Sequence, residues 1–583
     1  MSLAHKSFRT APGKARITIP GLFLLLVLLA GCGGTAPPPK TPPLQFTSIN
    51  LGLPPAALSA PVVGPLPAAT PMHVGITFKA NQQLLTQLDH RKVQSGQTLN
   101  LETVANTLGI DGATYQKIKS FFGIDGATLK LSKLHTNLTV DARARTFARL
   151  FQTGFVIHKL NNRTFYAPTT NPKLPTFIAA AIIAITGLDT YTILQHGHSA
   201  RRLLKAVHSR HSVSDCRPLA GSLVPGQVAH AYGFDQLWQQ GLRGEGMTVN
   251  LIELDGFNRH DIQNYFDCLH FQGNLKVVNV NSPPKTIELE STLDIETIAG
   301  LAPTINIVDY QGPNTFTEFN DELQQILNDN TRNTASGSVV SISWGAAENQ
   351  MTNSNIMALD QTIALLTKAE HMTIFADTYD CAAFADQTYN HLSVSFPASD
   401  PLATSVGGTV LKVDATGNRS SEVAWSDGSN HRVCNNQWGT GGGLSTIFKR
   451  PSWQDGQIIQ NKYANGTRQL PEIAAIAFNQ ALYYQGQWLY AYGTSEATPT
   501  WAAAMALVNE NLIKQVHEFF YSPQLFYMVA NNSAALHLHP FYDVIQGNNL
   551  YYSATPGWDF ATGLGTPNLV DFSSVLLWST IHH

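Results

Sequence analysis

Between residues 247 and 375 the chain switches repeatedly between two apolar patterns. Short runs at 247–254, 275–280, 305–310, 338–343 and 372–375 read as strands. Longer stretches at 290–301, 319–328 and 358–368 read as helices. Alternation of this kind predicts an α/β fold with a mostly parallel sheet and helices packed on both of its faces. Reactive groups in such sheets collect beyond the carboxyl ends of the strands, which places Asp380, just past the strand at 372–375, in the expected site region.

With 583 residues, the chain is too long for one compact core. Ahead of the alternating region, residues 73–191 mix possible strands at 73–78 and 154–160 with helical patterns at 101–108 and 141–151. An apolar segment, 175–187, ends in Gly187-Leu188-Asp189. This predicts a separate α+β domain over 72–192. Residues 193–220 carry Arg201, Arg202, Lys205, Arg210 and several histidines without apolar periodicity. They read as an exposed basic linker, the kind of segment where proteases cut.

Charged residues make up only 13% of the chain and the formal net charge is -3, so no basic surface suited to nucleic acid is expected. Twenty histidines would charge together as pH falls through about 6.5 and turn the protein cationic in acid. At the N-terminus Lys6, Arg9, Lys14 and Arg16 precede an apolar run at 21–30, too short to span a bilayer. That order reads as an export signal over 1–32. Leu29-Ala30-Gly31-Cys32 is similar to a bacterial lipoprotein box, with Cys32 as the lipidated residue and 33–71, rich in proline and alanine, as a tether. The other cysteines are even in number, as in exported chains with disulfides. Of the three possible connectivities, Cys216 with Cys268 and Cys381 with Cys434 is the expected one.

Two local patterns carry chemistry. Gly493-Thr494-Ser495 opens an alanine-rich helix at 501–512, with Pro499 expected in its first turn. Ser495 would then sit at a helix N-terminus, where free N–H groups stabilise a developing oxyanion. In the helix at 290–301, Ile295, Ile298, Ala299 and Ala302 form an apolar stripe, and Glu290 and Asp294 lie one turn apart on its flank. Such a pair is either two solvated acids or, where shielded from water, a couple sharing one proton.

With Ser495, Glu290, Asp294 and Asp380 in place, the chain resembles the sedolisin family of serine-carboxyl peptidases. Ser341-Ile342-Ser343-Trp344-Gly345, Glu348, Phe396-Pro397-Ala398-Ser399, Val406-Gly407-Gly408-Thr409 and Gly439-Thr440-Gly441-Gly442-Gly443-Leu444-Ser445 follow in the family's order. Arg468-x-x-Pro471-Glu472 is similar, with glutamate for the usual aspartate. Subtilisins share the Gly-Thr-Ser turn but need a histidine base, and the nearest match, His196-Gly197-His198-Ser199, falls in the linker.

The resemblance implies a subtilisin-like catalytic domain at 221–578, preceded by an activation prodomain that inhibits it. It implies an exported, monomeric endopeptidase acting on polypeptides in acid. Ser495 would be the nucleophile, Glu290 the base, Asp294 its partner, and protonated Asp380 the oxyanion donor. It further implies one structural Ca2+ held by Asp543 and Asp559 and by the carbonyls of Val544, Thr555 and Gly557, an oxygen set that suits this ion. The protein would then be an envelope lipoprotein, in the periplasm or on the cell surface, or be secreted after processing.

One departure stands out. The family surrounds its oxyanion aspartate with Ser-Gly-Asp-Ser-Gly, whereas here the run is Thr378-Tyr379-Asp380-Cys381-Ala382, with Asp377 as a second acid and the competitor for the oxyanion role. Two lost glycines leave open an inactive lipoprotein that uses the scaffold to bind peptides.

Overall fold

A computed structural model describes residues 44–90, 101–124, 126–196, 221–330, 337–428, 434 and 437–582. The chain divides into a short unit, Met1–Gln45, and one large unit, Phe46–His583. The expected export signal, Cys32, most of the linker and Cys216 lie outside the described residues. No helix among the described residues is long and apolar enough to cross a membrane.

The tether expected over 33–71 is folded in its second half. Strand Phe46–Ser48 pairs with Lys173–Pro175, and Val62–Pro65 pairs with Phe155–Leu160. Proline-rich sequence is compatible with order here because both segments are edge strands, where a missing N–H faces outward. A four-stranded antiparallel sheet runs Thr128–Leu131, Asn137–Arg143, Pro71–Phe78, Ile182–Thr186. The helix expected from 141 begins three residues late, at Ala144–Leu150, because Asp141, Ala142 and Arg143 continue the ladder to His73, Met72 and Pro71. Val74, Ile76, Leu138, Val140 and Phe147 form the core of this α+β region.

The larger sheet runs Asn274–Asn279, Asn306–Gln311, Thr248–Glu253, Val339–Ile342, Thr373–Asp377, Thr404–Val413, Arg419–Ala424, and Ile473–Ile476 also pairs with Thr404–Val413. All these pairings are parallel except the one with Arg419–Ala424. Alternate side chains go to opposite faces. Val249, Leu251 and Val339 meet helices Glu290–Leu301 and Thr494–Val516 on one side. Ile252, Val340 and Ile342 meet Phe316–Asn330 and Asn353–Lys368 on the other.

The antiparallel sheet docks on this second pair of helices. Gln361 Nε2 donates to the Phe78 carbonyl at 2.7 Å and its Oε1 accepts from the Ala80 N–H at 2.9 Å. Ser354 Oγ donates to the Ile185 carbonyl and accepts from the Ile185 N–H, both at 2.8 Å. His73 lies between Asp141 on its own sheet, at 2.6 Å, and Asp321 of helix Phe316–Asn330, at 2.5 Å. Burial alone would lower His73, but the hydrogen bonds to Asp141 and then Asp321 outweigh it and hold the imidazolium up to about 10.

Candidate active site

Ser495 is fully buried at the second position of helix Thr494–Val516. The residue before the helix, Gly493, has φ 150° and ψ 155°. That region is open essentially to glycine alone, which explains the turn's composition. Because the helix starts earlier than expected, Pro499 falls in the second turn rather than the first. A proline there cannot supply the N–H that would bond the Ser495 carbonyl four residues back. Ser495 Oγ has no hydrogen-bond partner among the described residues.

Helix Glu290–Leu301 packs against this helix and is buried on every side, not only along its apolar stripe. Glu290 and Asp294 are therefore shielded acids. Burial first and the Glu290 charge second push Asp294 well above its usual range, while the Ser343 hydroxyl donates to its Oδ2 at 2.8 Å. Two further acids stand behind the pair. Glu253 Oε2 accepts from Trp344 Nε1 at 3.0 Å, and Asp255 Oδ1 accepts from Ser291 Oγ at 2.6 Å. Burial pushes Asp255 up to about 7. Sequence reasoning passed over both. The available signal was an acid at each end of the Glu253-Leu254-Asp255 run, where an otherwise apolar central strand finishes.

Asp380 reaches the Ser495 helix directly. Its Oδ1 accepts from the Thr494 N–H at 2.7 Å and from Thr494 Oγ1 at 2.8 Å, while its Oδ2 has no partner among the described residues. Burial, opposed by these bonds, raises Asp380 to about 7. Asp377 shares the Thr494 hydroxyl at 3.1 Å and also accepts from the Tyr379 N–H at 3.2 Å. The two positions where glycines are replaced keep the backbone that glycine would adopt: Tyr379 has φ 73° and Ala382 φ 53°. Surroundings enforce this. The Tyr379 and Asp380 carbonyls accept from Gly441 and Gly439 at 2.9 Å each, and Ala382 N–H donates to the Gly439 carbonyl at 2.9 Å. A side chain at Gly441 would collide with the Thr378 carbonyl. The Cys381–Cys434 disulfide then ties down the residue between Asp380 and Ala382. Cys268 is also disulfide-bonded, its expected partner Cys216 being outside the described residues.

The structure thus brings Ser495, Asp380, Asp377, Glu290 and Asp294 together; Glu290's charge is felt at Asp380, Asp377 and Asp294. It does not join Ser495 to Glu290 by a hydrogen bond, since the Glu290 oxygens have no hydrogen-bond partner among the described residues either. What approaches Glu290 is His196, with Nδ1 3.3 Å from Oε2, an ion pair too poorly aligned to be a hydrogen bond. His196 belongs to strand Gln195–His196, which pairs antiparallel with Trp344 and Gly345. This end of the expected exposed linker therefore lies beside Glu290, because an extended segment satisfies the open edge of strand Trp344–Ala347.

The expected cation ligands also converge. Asp543 Oδ2 accepts from the Gly557 N–H at 2.9 Å and Asp559 Oδ2 from the Thr555 N–H at 2.8 Å, so one turn links both carboxylates. Thr562 Oγ1 spans Asp559 and the Val544 carbonyl. Burial raises Asp543, and raises Asp559 to about 6; carboxylates held in this way are stabilised as anions by a cation. No group of three or more His, Cys, Asp or Glu side chains stands ready for a metal among the described residues, so an ion here depends on backbone carbonyls. The donor set, two carboxylates with carbonyls, fits a hard cation such as Ca2+.

The fold and this cluster of a serine with buried carboxyls define the class of a serine-carboxyl peptidase. Comparison with known proteins agrees. Residues 61–191 match the model "Pro-kumamolisin, activation domain". Kumamolisin of Bacillus sp. (strain MN-32) is 32% identical over 418 residues, covering 68% of this chain and 70% of that protein. Sedolisin of Pseudomonas sp. (strain 101) is 25% identical over 476 residues, 75% and 74% of the two chains. The fold matches the solved Pseudomonas sedolisin (serine-carboxyl proteinase), complexed with two molecules of pseudo-iodotyrostatin, with TM-score 0.52 and 24% identity over 61% of this chain and 98% of that one. The chain belongs to the sedolisin family of serine-carboxyl peptidases, and its N-terminal α+β region is the activation domain of a zymogen.

Proposed function

We propose that the processed protein is an endopeptidase working in acid, with Ser495 as nucleophile, Glu290 as its base and Asp294 sharing the base's charge. Asp380 is the oxyanion donor beside the Ser495 N–H. The observation that carries this reading is the bonding of Asp380. Thr494 occupies Oδ1, leaving Oδ2 without a partner next to the nucleophile, and burial keeps the group neutral below about 7. A carboxyl donates a hydrogen bond only while protonated, so activity falls as pH rises through about 7. Ser495 attacks the scissile carbonyl, its proton passes to Glu290 and then to the leaving amine. In the uncut chain His196 stands against Glu290, consistent with the activation domain as intramolecular inhibitor.

The alternative of an inactive binding protein rested on the lost glycines, and Tyr379 and Ala382 retain the turn without them. Asp543 and Asp559, with the carbonyls of Val544, Thr555 and Gly557, would hold Ca2+, which would brace the loop behind the site. Export, with lipid attached at Cys32, completes the reading. The test uses acid-processed full-length protein and a fluorophosphonate probe at pH about 4. Wild type is labelled and cleaves denatured protein; Ser495→Ala does neither, losing at least about a thousandfold in turnover. Equal turnover by the variant, or a best rate above pH 7, defeats the assignment.

A further inference from the structure

Glu496 follows Ser495 directly, is 1% exposed, and has no part in the reading above. It is the third residue of helix Thr494–Val516, where a glutamate often reaches back to bond the N–H of the residue before the helix. Here that N–H, of Gly493, donates to the Ala477 carbonyl at 2.9 Å instead. Neither Glu496 oxygen has a hydrogen-bond partner among the described residues. A buried carboxyl left so costs the fold free energy, and helix capping does not account for it.

The groups packed around it belong to the site. Asp380 approaches from the turn after strand Thr373–Asp377 and Glu290 from helix Glu290–Leu301, while strand Phe478–Tyr484 brings the Gln480 N–H. Burial first, then the Asp380 charge, push Glu496 well above its ordinary value; the Gln480 N–H opposes them and the Glu290 charge adds to them. The other acids on these elements are engaged, Asp377 with the Thr494 hydroxyl at 3.1 Å, Asp294 with Ser343 at 2.8 Å and Glu296 with the Tyr483 N–H at 2.7 Å. The cation beside Glu290 is His196.

We infer that Glu496 is a second proton switch on the oxyanion site: turnover requires it neutral together with Asp380, so activity at rising pH is lost with two protons instead of one. The inference rests on the peptidase reading above. Free N–H groups in the first turn of a helix favour one negative charge. In catalysis that charge is the oxyanion formed at Ser495. A carboxylate at Glu496, one residue further into the same turn, would take up the same field and repel the oxyanion, whereas the neutral acid does neither. Glu496 and Asp380 give their protons to solvent in two steps, because the first charge formed raises the group that still holds its proton.

The test is the pH dependence of kcat/KM for acid-processed enzyme on one quenched peptide, from pH about 4 to about 9 and well below the melting temperature, with circular dichroism confirming the fold at each point. In wild type the logarithm of kcat/KM should fall with a slope that steepens from about one to about two. Glu496→Gln, which cannot ionise, should keep a slope of about one; with both rates normalised at pH about 5, it should exceed wild type by about tenfold one pH unit above the second step. Glu496→Met should behave as Glu496→Gln does, and Glu496→Asp should bring the steeper limb back. A merely structural role would change kcat/KM by one factor at every pH. A two-proton limb in the Gln and Met variants, or a single-proton limb in wild type, overturns the inference and leaves the peptidase reading standing. If wild type cleaves no peptide in acid, the peptidase reading fails first and the switch falls with it.

Discussion

Asp380 and its neighbours show how much one residue's meaning depends on backbone. Non-glycine residues at positive φ cost about 1 kcal/mol each, and Tyr379 and Ala382 both carry that cost beside an acid bonded to the start of the Ser495 helix. Bonds to Gly439 and Gly441 and the Cys381 bridge compensate. At Ala382, therefore, Ala382→Gly should leave stability within about 1 kcal/mol of wild type and keep activity. Ala382→Val, β-branched at φ 53°, should lose at least about 2 kcal/mol and much of the turnover. Denaturant titration with peptide assays reads both. In the sequence this loop looked like damage to the site; the replaced glycines were visible, but the hydrogen bonds that hold the turn without them come from residues some sixty positions away.

Among the elements, the strands of the parallel sheet were legible to within one or two residues, whereas the helices expected at 319–328, 358–368 and 501–512 all begin earlier than their patterns predict, and Glu290–Leu301 alone of these was legible to its ends. Glu290–Leu301 has the bounds its pattern predicts, since helical periodicity is a local property of the chain. Its burial on all sides was not legible, because the polar flank faces other acids rather than water. The Asp543 to Asp559 loop is the second element at issue. If a cation holds it, millimolar chelator should lower the melting temperature by at least about 5 °C, and added Ca2+ should restore it. Removing one carboxylate, as in Asp559→Asn, should abolish the response to chelator; a melt indifferent to both treatments would mean that the loop stands on its Thr555, Ala561 and Thr562 N–H bonds to Asp559 alone.

For the whole molecule the buried acids act together. Asp189, raised to about 6, and Asp255, Glu318, Glu370 and Asp380, each raised to about 7, are all shifted chiefly by burial. Their folded values lie above the unfolded ones, so the native state binds the extra protons. Their contribution to stability is complete below about 4 and is lost as pH rises through about 6 to 7. His73 is raised in the same sense: its contribution is present below about 6.5 and disappears only near 10, so it does not oppose the trend in that window. The melting temperature of the full chain should accordingly fall by at least about 5 °C between pH 4.5 and 7.5. A flat or rising profile would show that these carboxyls are ionised at little cost in the fold.

The sequence alone determined the alternating sheet, the Gly493 turn into the Ser495 helix and the one-turn spacing of Glu290 and Asp294, because strand and helix periods and glycine-only dihedrals are set within a few residues. It also determined the family, through short motifs in a fixed order. Only the tertiary structure decided that His196 lies against Glu290, that Glu253 and Asp255 back the acid pair, and that burial raises Asp380 while one of its oxygens has no partner among the described residues. Those outcomes rest on burial and on contacts between segments far apart in the chain. The free energy of a charge is set by whatever surrounds it after folding, and sequence spacing does not record those surroundings.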